Sequence, residues 1–402
     1  MSLALEPFEP SLRPAQLPRT QVQALYVHIP FCFHKCHYCD FYSITHQSPE
    51  RRNTFVDRVL HEAEMWHATP VSIRPRTFFF GGGTPTLLPI ESMSRLLVGL
   101  KERIDFTGVE EWTIEANPAT VSAEYCAMLR SAGVDRLSFG GQSFNRDELK
   151  LLERHHDPDD VPRSIELARS AGFTRLNVDL IYAIPGQDLP SWAKSLDEAI
   201  ALRTPHLSCY GLTFEPNTPI AVRRRLGLLR QAAESLELRM LRHARSRLSG
   251  AGMGAYEISN YSTPGEECQH NLVYWMGGNY IGLGPSAASH VQGWRWRNRP
   301  HLGEWERALD AGLLPAIEVE QLSASRRAGE LAMLMLRLSR GLNFAAFADR
   351  TGGLDAQTIW QDTIERYVRT GLLHIDQAAL KLTEAGLAVA DAIAAEFLDP
   401  AI

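Results

Sequence analysis

Over its first half the chain alternates short apolar, β-rich runs with helical patterns, and that alternation restricts the fold more than any other feature. The runs are Leu25–Ile29, Thr77–Phe80, Glu111–Glu115, Arg136–Phe139, Leu176–Ile181 and His206–Leu212. Between them lie helical patterns at Arg51–Trp66, Ile90–Ile104, Ser122–Ala132, Pro158–Ala171 and Pro190–Leu202. Ser122 and Pro158 read as helix starts, Gly133 and Gly172 as stops. Strands separated by helices must run parallel, joined by right-handed crossovers. The expected fold class is therefore α/β, a partial barrel of six (β/α) units rather than a closed eight-stranded one.

The remainder reads differently. Leu228–Leu248 is strongly helical, and Gly250–Trp296 is rich in Gly, Tyr and Trp with little regular periodicity. After Pro300 the pattern is mainly helical, clearest at Ala324–Arg337, and Gly371–Ile375 with Ala379–Thr383 reads as a hairpin. Helices with one small hairpin predict a winged-helix-like tail. The chain divides into a Pro-rich arm (1–20), the barrel (21–250), a Gly- and aromatic-rich segment (251–300) and a mainly helical C-terminal domain (301–402). At 402 residues, 45% hydrophobic and 22% charged, the chain is ordinary globular material, not a disordered or disulfide-scaffold sequence. A net charge of −6 gives no electrostatic footprint for nucleic acid. No stretch approaches the ~18 apolar residues of a membrane span, and the Pro-rich start has no apolar signal core, so a cytoplasmic location is expected.

Three of the six cysteines crowd together, in Cys32-Phe-His-Lys-Cys36-His-Tyr-Cys39-Asp-Phe41, directly after the first strand. The others, Cys126, Cys209 and Cys268, are scattered. Crowding of this kind signals a metal centre rather than a disulfide framework. Three thiolates at spacing C-x3-C-x2-C suit an iron–sulfur cluster with one iron left open to a small molecule. A structural zinc site is the alternative, with His28, His34 or His37 as a fourth ligand.

Barrel sites form at the C-terminal ends of strands, and here those ends are polar or glycine-rich: Gly81-Gly82-Gly83-Thr84, Glu115-Ala-Asn, Gly140-Gly141-Gln142 and Asn177-Val-Asp179. Consecutive glycines admit a ligand close to the backbone and expose amide donors. With the cysteine motif, this order resembles the radical S-adenosylmethionine superfamily, and within it the branch of oxygen-independent coproporphyrinogen III oxidases and HemW heme chaperones. The resemblance spans about 25–382. It implies a [4Fe–4S] cluster on Cys32, Cys36 and Cys39. It also implies S-adenosylmethionine contacts from Tyr26, Gly82 and Glu115. Tyr38, Gly83, Thr84, Gln142, Arg154 and Asp179 occupy positions that surround a second S-adenosylmethionine in the oxidase. Read without the resemblance, Arg154 is a surface helix residue.

Two features separate the branches. The oxidase pattern continues with a further Cys two residues after the third, and here Phe41 stands in that place. The string His270-Asn-x-x-Tyr274-Trp275 is similar to the heme-binding motif of the chaperones. A neutral imidazole can ligate heme iron, and aromatic neighbours can cover a porphyrin face. The resemblance thus implies a heme chaperone that binds heme through His270 and passes it to an acceptor hemoprotein. The alternative is a coproporphyrinogen III dehydrogenase working through a 5′-deoxyadenosyl radical.

Overall fold

The computed structural model describes residues 12–398. Most of the Pro-rich arm, 1–11, lies outside the described residues. The rest of the arm leads into the first strand, with Leu12 and Leu17 buried in the main core.

The six anticipated units form in order. Strands β1 (Thr20–Ile29), β2 (Val71–Gly82), β3 (Glu111–Ala116), β4 (Arg136–Gln142), β5 (Arg175–Tyr182) and β6 (His206–Gly211) lie side by side and parallel. Helices α1 (Pro49–Met65), α2 (Ile90–Arg103) and α3 (Ala123–Ser131) make the first crossovers. Two short helices, α4 (Arg146–Leu151) and α5 (Asp160–Ser170), share the fourth, and α6 (Leu189–Ala201) makes the fifth. The punctuation works as read: Ser122 Oγ accepts the Tyr125 N–H at 3.1 Å, and Gly133 and Gly172 end their helices at φ 94° and 90°. Pro158 lies just ahead of the helix it was expected to begin, which opens at Asp160.

The chain then adds α7 (Pro219–Arg225), α8 (Glu234–Gly250) and a hairpin of β7 (Gly254–Ala255) and β8 (Asn260–Ser262), with β8 antiparallel on β6. After α9 (Gln269–Trp275), strand β9 (Tyr280–Leu283) pairs parallel with β1 on the other side. Strands β10 (Ala288–Val291), β11 (Trp294–Asn298) and β12 (Ala316–Gln321) extend that edge, with α10 (Leu302–Asp310) between the last two. Among the described residues this is one twelve-stranded sheet whose ends, β12 and β7, do not meet. The barrel is therefore partial. Residues 251–300 carry more order than their composition suggests, because pairing to β1 and β6 supplies the hydrogen bonds that local propensity does not.

The sheet runs to Gln321, and a second hydrophobic core begins with Ala328 on α11 (Ala324–Leu336). Five short helices and a three-stranded sheet surround it: β13 (Leu342–Asn343), β14 (Leu373–Ile375) and β15 (Ala379–Leu382). The β14–β15 pair is the expected hairpin. No helix among the described residues is long and apolar enough to cross a membrane.

Candidate functional site

From Ile29 the chain turns through Pro30 into the cysteine loop. Cys32 N–H donates to Ile44 O (2.9 Å) and Ile44 N–H to Pro30 O (2.7 Å), closing its base. Its middle is tied to two other elements: His37 N–H donates to Leu152 O (3.2 Å), and Ile220 N–H donates to His37 O (3.0 Å). The three thiols are free and half-buried. Thr84 Oγ1 lies 3.8 Å from Cys32 Sγ. Arg154 Nη1 donates to Cys36 Sγ (3.6 Å), and Nη2 to Gly140 O (2.5 Å). Arg154 therefore corrects its sequence reading: it lies past the end of α4 and points inward to the loop, not out from a helix.

Burial pushes the Cys32 thiol up and the Cys39 thiol up to about 11, and neighbouring thiolate charge adds to the rise. Coordination would reverse this, because a bound metal deprotonates its thiol ligands. The donor set fits an iron–sulfur cluster better than lone zinc. Three thiolates on one loop are the donor set that iron–sulfur clusters take, whereas a closed tetrahedral zinc site needs a fourth protein ligand. Of the histidines offered as a fourth zinc ligand, His28 has both ring nitrogens hydrogen-bonded. His28 lies between Tyr26 Oη (3.0 Å) and Tyr42 O (2.8 Å), while His34 and His37 face Glu153.

The strand ends meet around this loop. Gly82 has φ 105° and an added Cβ would lie 2.4 Å from the His28 ring, so no other residue fits. Gly83 is equally confined, since its Cβ would lie 2.6 Å from Phe31 O. Gly82 N–H donates to Glu115 Oε2 at 3.3 Å. Burial raises the Glu115 carboxyl to about 8, with the Asp179 charge adding to it against the Gly82 bond. Tyr26 stacks near Phe79, 6.3 Å between centroids. Burial and then the Glu115 charge hold its phenol protonated. Gln142, at φ 64°, brings its amide to Gly140 beside Arg154. Tyr38 is also held protonated by burial, in the combined field of Arg154, Cys36, Cys39 and Asp179. Tyr26, Tyr38, Gly82, Gly83, Thr84, Glu115, Gln142, Arg154 and Asp179 thus share one mouth with the three thiols.

Below that mouth the parallel register stacks a polar interior. Glu115 pairs with Ser138, Ser138 with Asn177, and Asn177 with His206. Ser138 Oγ (3.1 Å) and Asn177 Nδ2 (2.8 Å) donate to Asp179. Asn177 Oδ1 lies 2.7 Å from His206 Nδ1, and Tyr256 Oη 2.9 Å from His206 Nε2. Burial, then Arg136 and Arg175, keeps that imidazole neutral. Sequence reasoning placed Asn177 at a polar strand end but missed Ser138 and His206. Their signal was present as polar residues at every second position of otherwise apolar strands, the period of a strand lining an interior.

His270 sits deeper still and is only 1% exposed. Its Nδ1 lies 2.9 Å from Thr77 Oγ1, its Nε2 2.7 Å from Tyr274 Oη, and its ring stacks on Phe79 at 5.2 Å. Burial lowers it to about 3, so it is neutral, the form that ligates iron. In this arrangement, however, neither nitrogen is open to a heme. Glu111 explains the placement. Its carboxylate accepts the N–H groups of Gln269 (3.2 Å) and His270 (3.0 Å), seating the start of α9 at the foot of β3, and Arg136 and Arg175 balance its charge. The motif's other aromatic faces away: Trp275 lines an apolar cleft of about 380 Å³ against α11, with Arg337 4.7 Å over its ring. His290 is likewise engaged, with Nδ1 3.0 Å from Gly278 O and Nε2 accepting from Gly293 N–H.

Comparison with known proteins agrees with this architecture. Residues 26–199 match the radical SAM superfamily, and residues 322–389 match the HemN C-terminal domain. The chain is 31% identical over 373 residues to the heme chaperone HemW of Lactococcus lactis, covering 93% of this chain and 96% of that one. It is 33% identical to the heme chaperone HemW of Bacillus subtilis, covering 94% and 99%. To the Escherichia coli heme chaperone HemW it is 38% identical over 268 residues, 67% of this chain and 70% of that one. The solved structure of coproporphyrinogen III oxidase (HemN) from Escherichia coli superposes with a TM-score of 0.81 over 96% of this chain and 91% of that one, at 23% identity, which shows a shared fold. With the cysteine loop, the glycine ledge and the helical tail all accounted for along its length, the chain belongs to the HemW heme chaperone family of the radical SAM superfamily.

Proposed function

We propose that this protein is a heme chaperone that carries a [4Fe–4S] cluster and S-adenosylmethionine and hands heme to an acceptor hemoprotein. The observation that carries the reading is the cysteine loop. It offers three half-buried thiols on one loop, beside Arg154, with Phe41 where the oxidase pattern has another Cys. Cys32, Cys36 and Cys39 would hold the cluster, which leaves one iron for S-adenosylmethionine. Glu115 and the Gly82 ledge suit the ligand's ammonium, and Tyr26 its packing. Tyr38, Gly83, Thr84, Gln142, Arg154 and Asp179 form the adjoining wall.

The rival enzyme reading shares the fold, so turnover decides between them. Anaerobic, cluster-replete protein with S-adenosylmethionine, reductant and coproporphyrinogen III is expected to form no protoporphyrinogen IX, and multiple turnovers would overturn the chaperone reading. Cys36→Ala is expected to lose the brown cluster absorbance, and intact absorbance would overturn the ligand assignment. Heme ligation by His270 requires α9 to withdraw from the barrel, since both ring nitrogens are engaged. Heme titration of His270→Ala tests this. A changed Soret band or weaker binding supports the ligand role, and a titration identical to the parent assigns His270 to packing alone.

A further inference from the structure

One cluster of ligand-type side chains lies outside everything assigned above. His34 Nε2 is 3.5 Å from Glu153 Oε2, and His155 Nε2 is 3.8 Å from the same oxygen. His37 Nε2 is 3.8 Å from the other oxygen, Oε1. The His34 and His155 rings meet edge to face at 4.6 Å. The ligand atoms of His34, Glu153 and His155 all lie within 4.8 Å of one another, which no other such trio does among the described residues.

The distances have a chemical meaning. Zinc bonds of about 2.0–2.1 Å to nitrogen and oxygen place tetrahedral ligand atoms about 3.4 Å apart. The His34 and His155 nitrogens, 3.5 and 3.8 Å from Glu153 Oε2, exceed that by about 0.1 and 0.4 Å. The bland alternative is a set of surface ion pairs. Exposed ion pairs of this kind contribute little to stability. The backbone is also committed here. Glu153 adopts φ 57° just past the end of α4, a left-handed position that glycine normally fills. The chain accepts that conformation and with it places a carboxylate among three imidazoles.

We propose that His34, Glu153 and His155 form a binding site for a borderline divalent cation of the zinc class, with His37 orienting the carboxylate from its far oxygen. Imidazole and carboxylate donors suit such ions, and the partly exposed rings leave a position for water. The site joins two segments that matter to the cluster. His34 and His37 belong to the cysteine loop, and Glu153 and His155 flank Arg154, which donates to Cys36. A bound cation would clamp the loop onto the turn that holds this arginine.

The test uses cluster-loaded, anaerobic protein titrated calorimetrically with Zn²⁺, with iron and sulfide counted before and after. Uptake of one equivalent without iron loss is expected, together with a rise in thermal midpoint. His34→Ala and His155→Ala should each weaken binding about tenfold or more. The exposed His374→Ala should titrate like the parent. Glu153→Gly adds a control for folding: glycine suits the left-handed position, so the zinc-free fold should be retained while the zinc-induced rise disappears. The proposal is overturned if the parent takes up no zinc, if uptake is matched by iron loss, or if the histidine and Glu153 variants bind as the parent does.

Discussion

At the residue scale, Glu115 shows what burial does to a carboxyl at a strand end. Burial and the nearby Asp179 raise its carboxyl to about 8, and only the Gly82 N–H opposes the shift. It is therefore largely neutral at pH 7 while no cation lies beside it. An ammonium group arriving there favours the charged form, so binding must expel a proton. S-adenosylmethionine affinity is expected to rise with pH up to about 8 and then level off, as deprotonation ceases to oppose binding. Calorimetry in buffers of different ionisation enthalpy would detect the released proton at pH 7. Glu115→Gln should remove both the release and the pH slope, and a slope that survives in that variant would remove Glu115 from the site.

At the scale of elements, a buried carboxyl group explains how the added strands are held against the barrel. Glu62, on α1, accepts Gly284 N–H (2.7 Å) and Trp305 Nε1 (3.0 Å) on one oxygen and Asn298 Nδ2 (2.6 Å) on the other. Those donors come from the end of β9, from α10 and from β11. Glu62→Ala leaves the three donors without this acceptor in a dry interior, and each unpaired group costs about 1–3 kcal/mol. Asn298 keeps the carbonyls of Gly282 and Gly284 as acceptors. The expected loss is about 3 kcal/mol, read as a lower denaturant midpoint at unchanged slope. Because burial raises the folded Glu62 carboxyl to about 8, its contribution is complete below pH 4.5 and declines as pH rises towards 8. The parent should thus lose stability over that window relative to Glu62→Ala, and parallel pH–stability curves would contradict this.

At the scale of the whole molecule, two cores meet across α9 and α11. Met276 packs on the second core, while His270 one turn and more before it fills the barrel. Arg337 bridges the two units: it covers Trp275 and lies 3.7 Å from both the buried Glu257 and the exposed Asp391. Arg337→Ala would strip the buried Glu257 carboxylate oxygen of its only cation among the described residues. Half-exposure of the bridge moderates the penalty to about 2 kcal/mol. The expected result is a lower thermal midpoint and earlier proteolysis near the 321–324 connection, with cluster content unchanged. Loss of the cluster in that variant would mean that the units are coupled through the site as well as through the bridge.

What the sequence determined by itself was local or periodic. Strand–helix alternation dictated parallel strands, Ser122, Gly133 and Gly172 marked helix ends, and cysteine spacing crowded three thiols into one loop. Each follows from chain geometry within a few residues. Tertiary structure alone decided the direction in which long-range groups point. Arg154 turns to Cys36 because the chain leaves α4 through a left-handed Glu153. His270 is enclosed because Glu111, 159 residues away, captures the start of α9. Such placements depend on which partner satisfies a buried charge or amide, and that partner is found only when distant segments fold together.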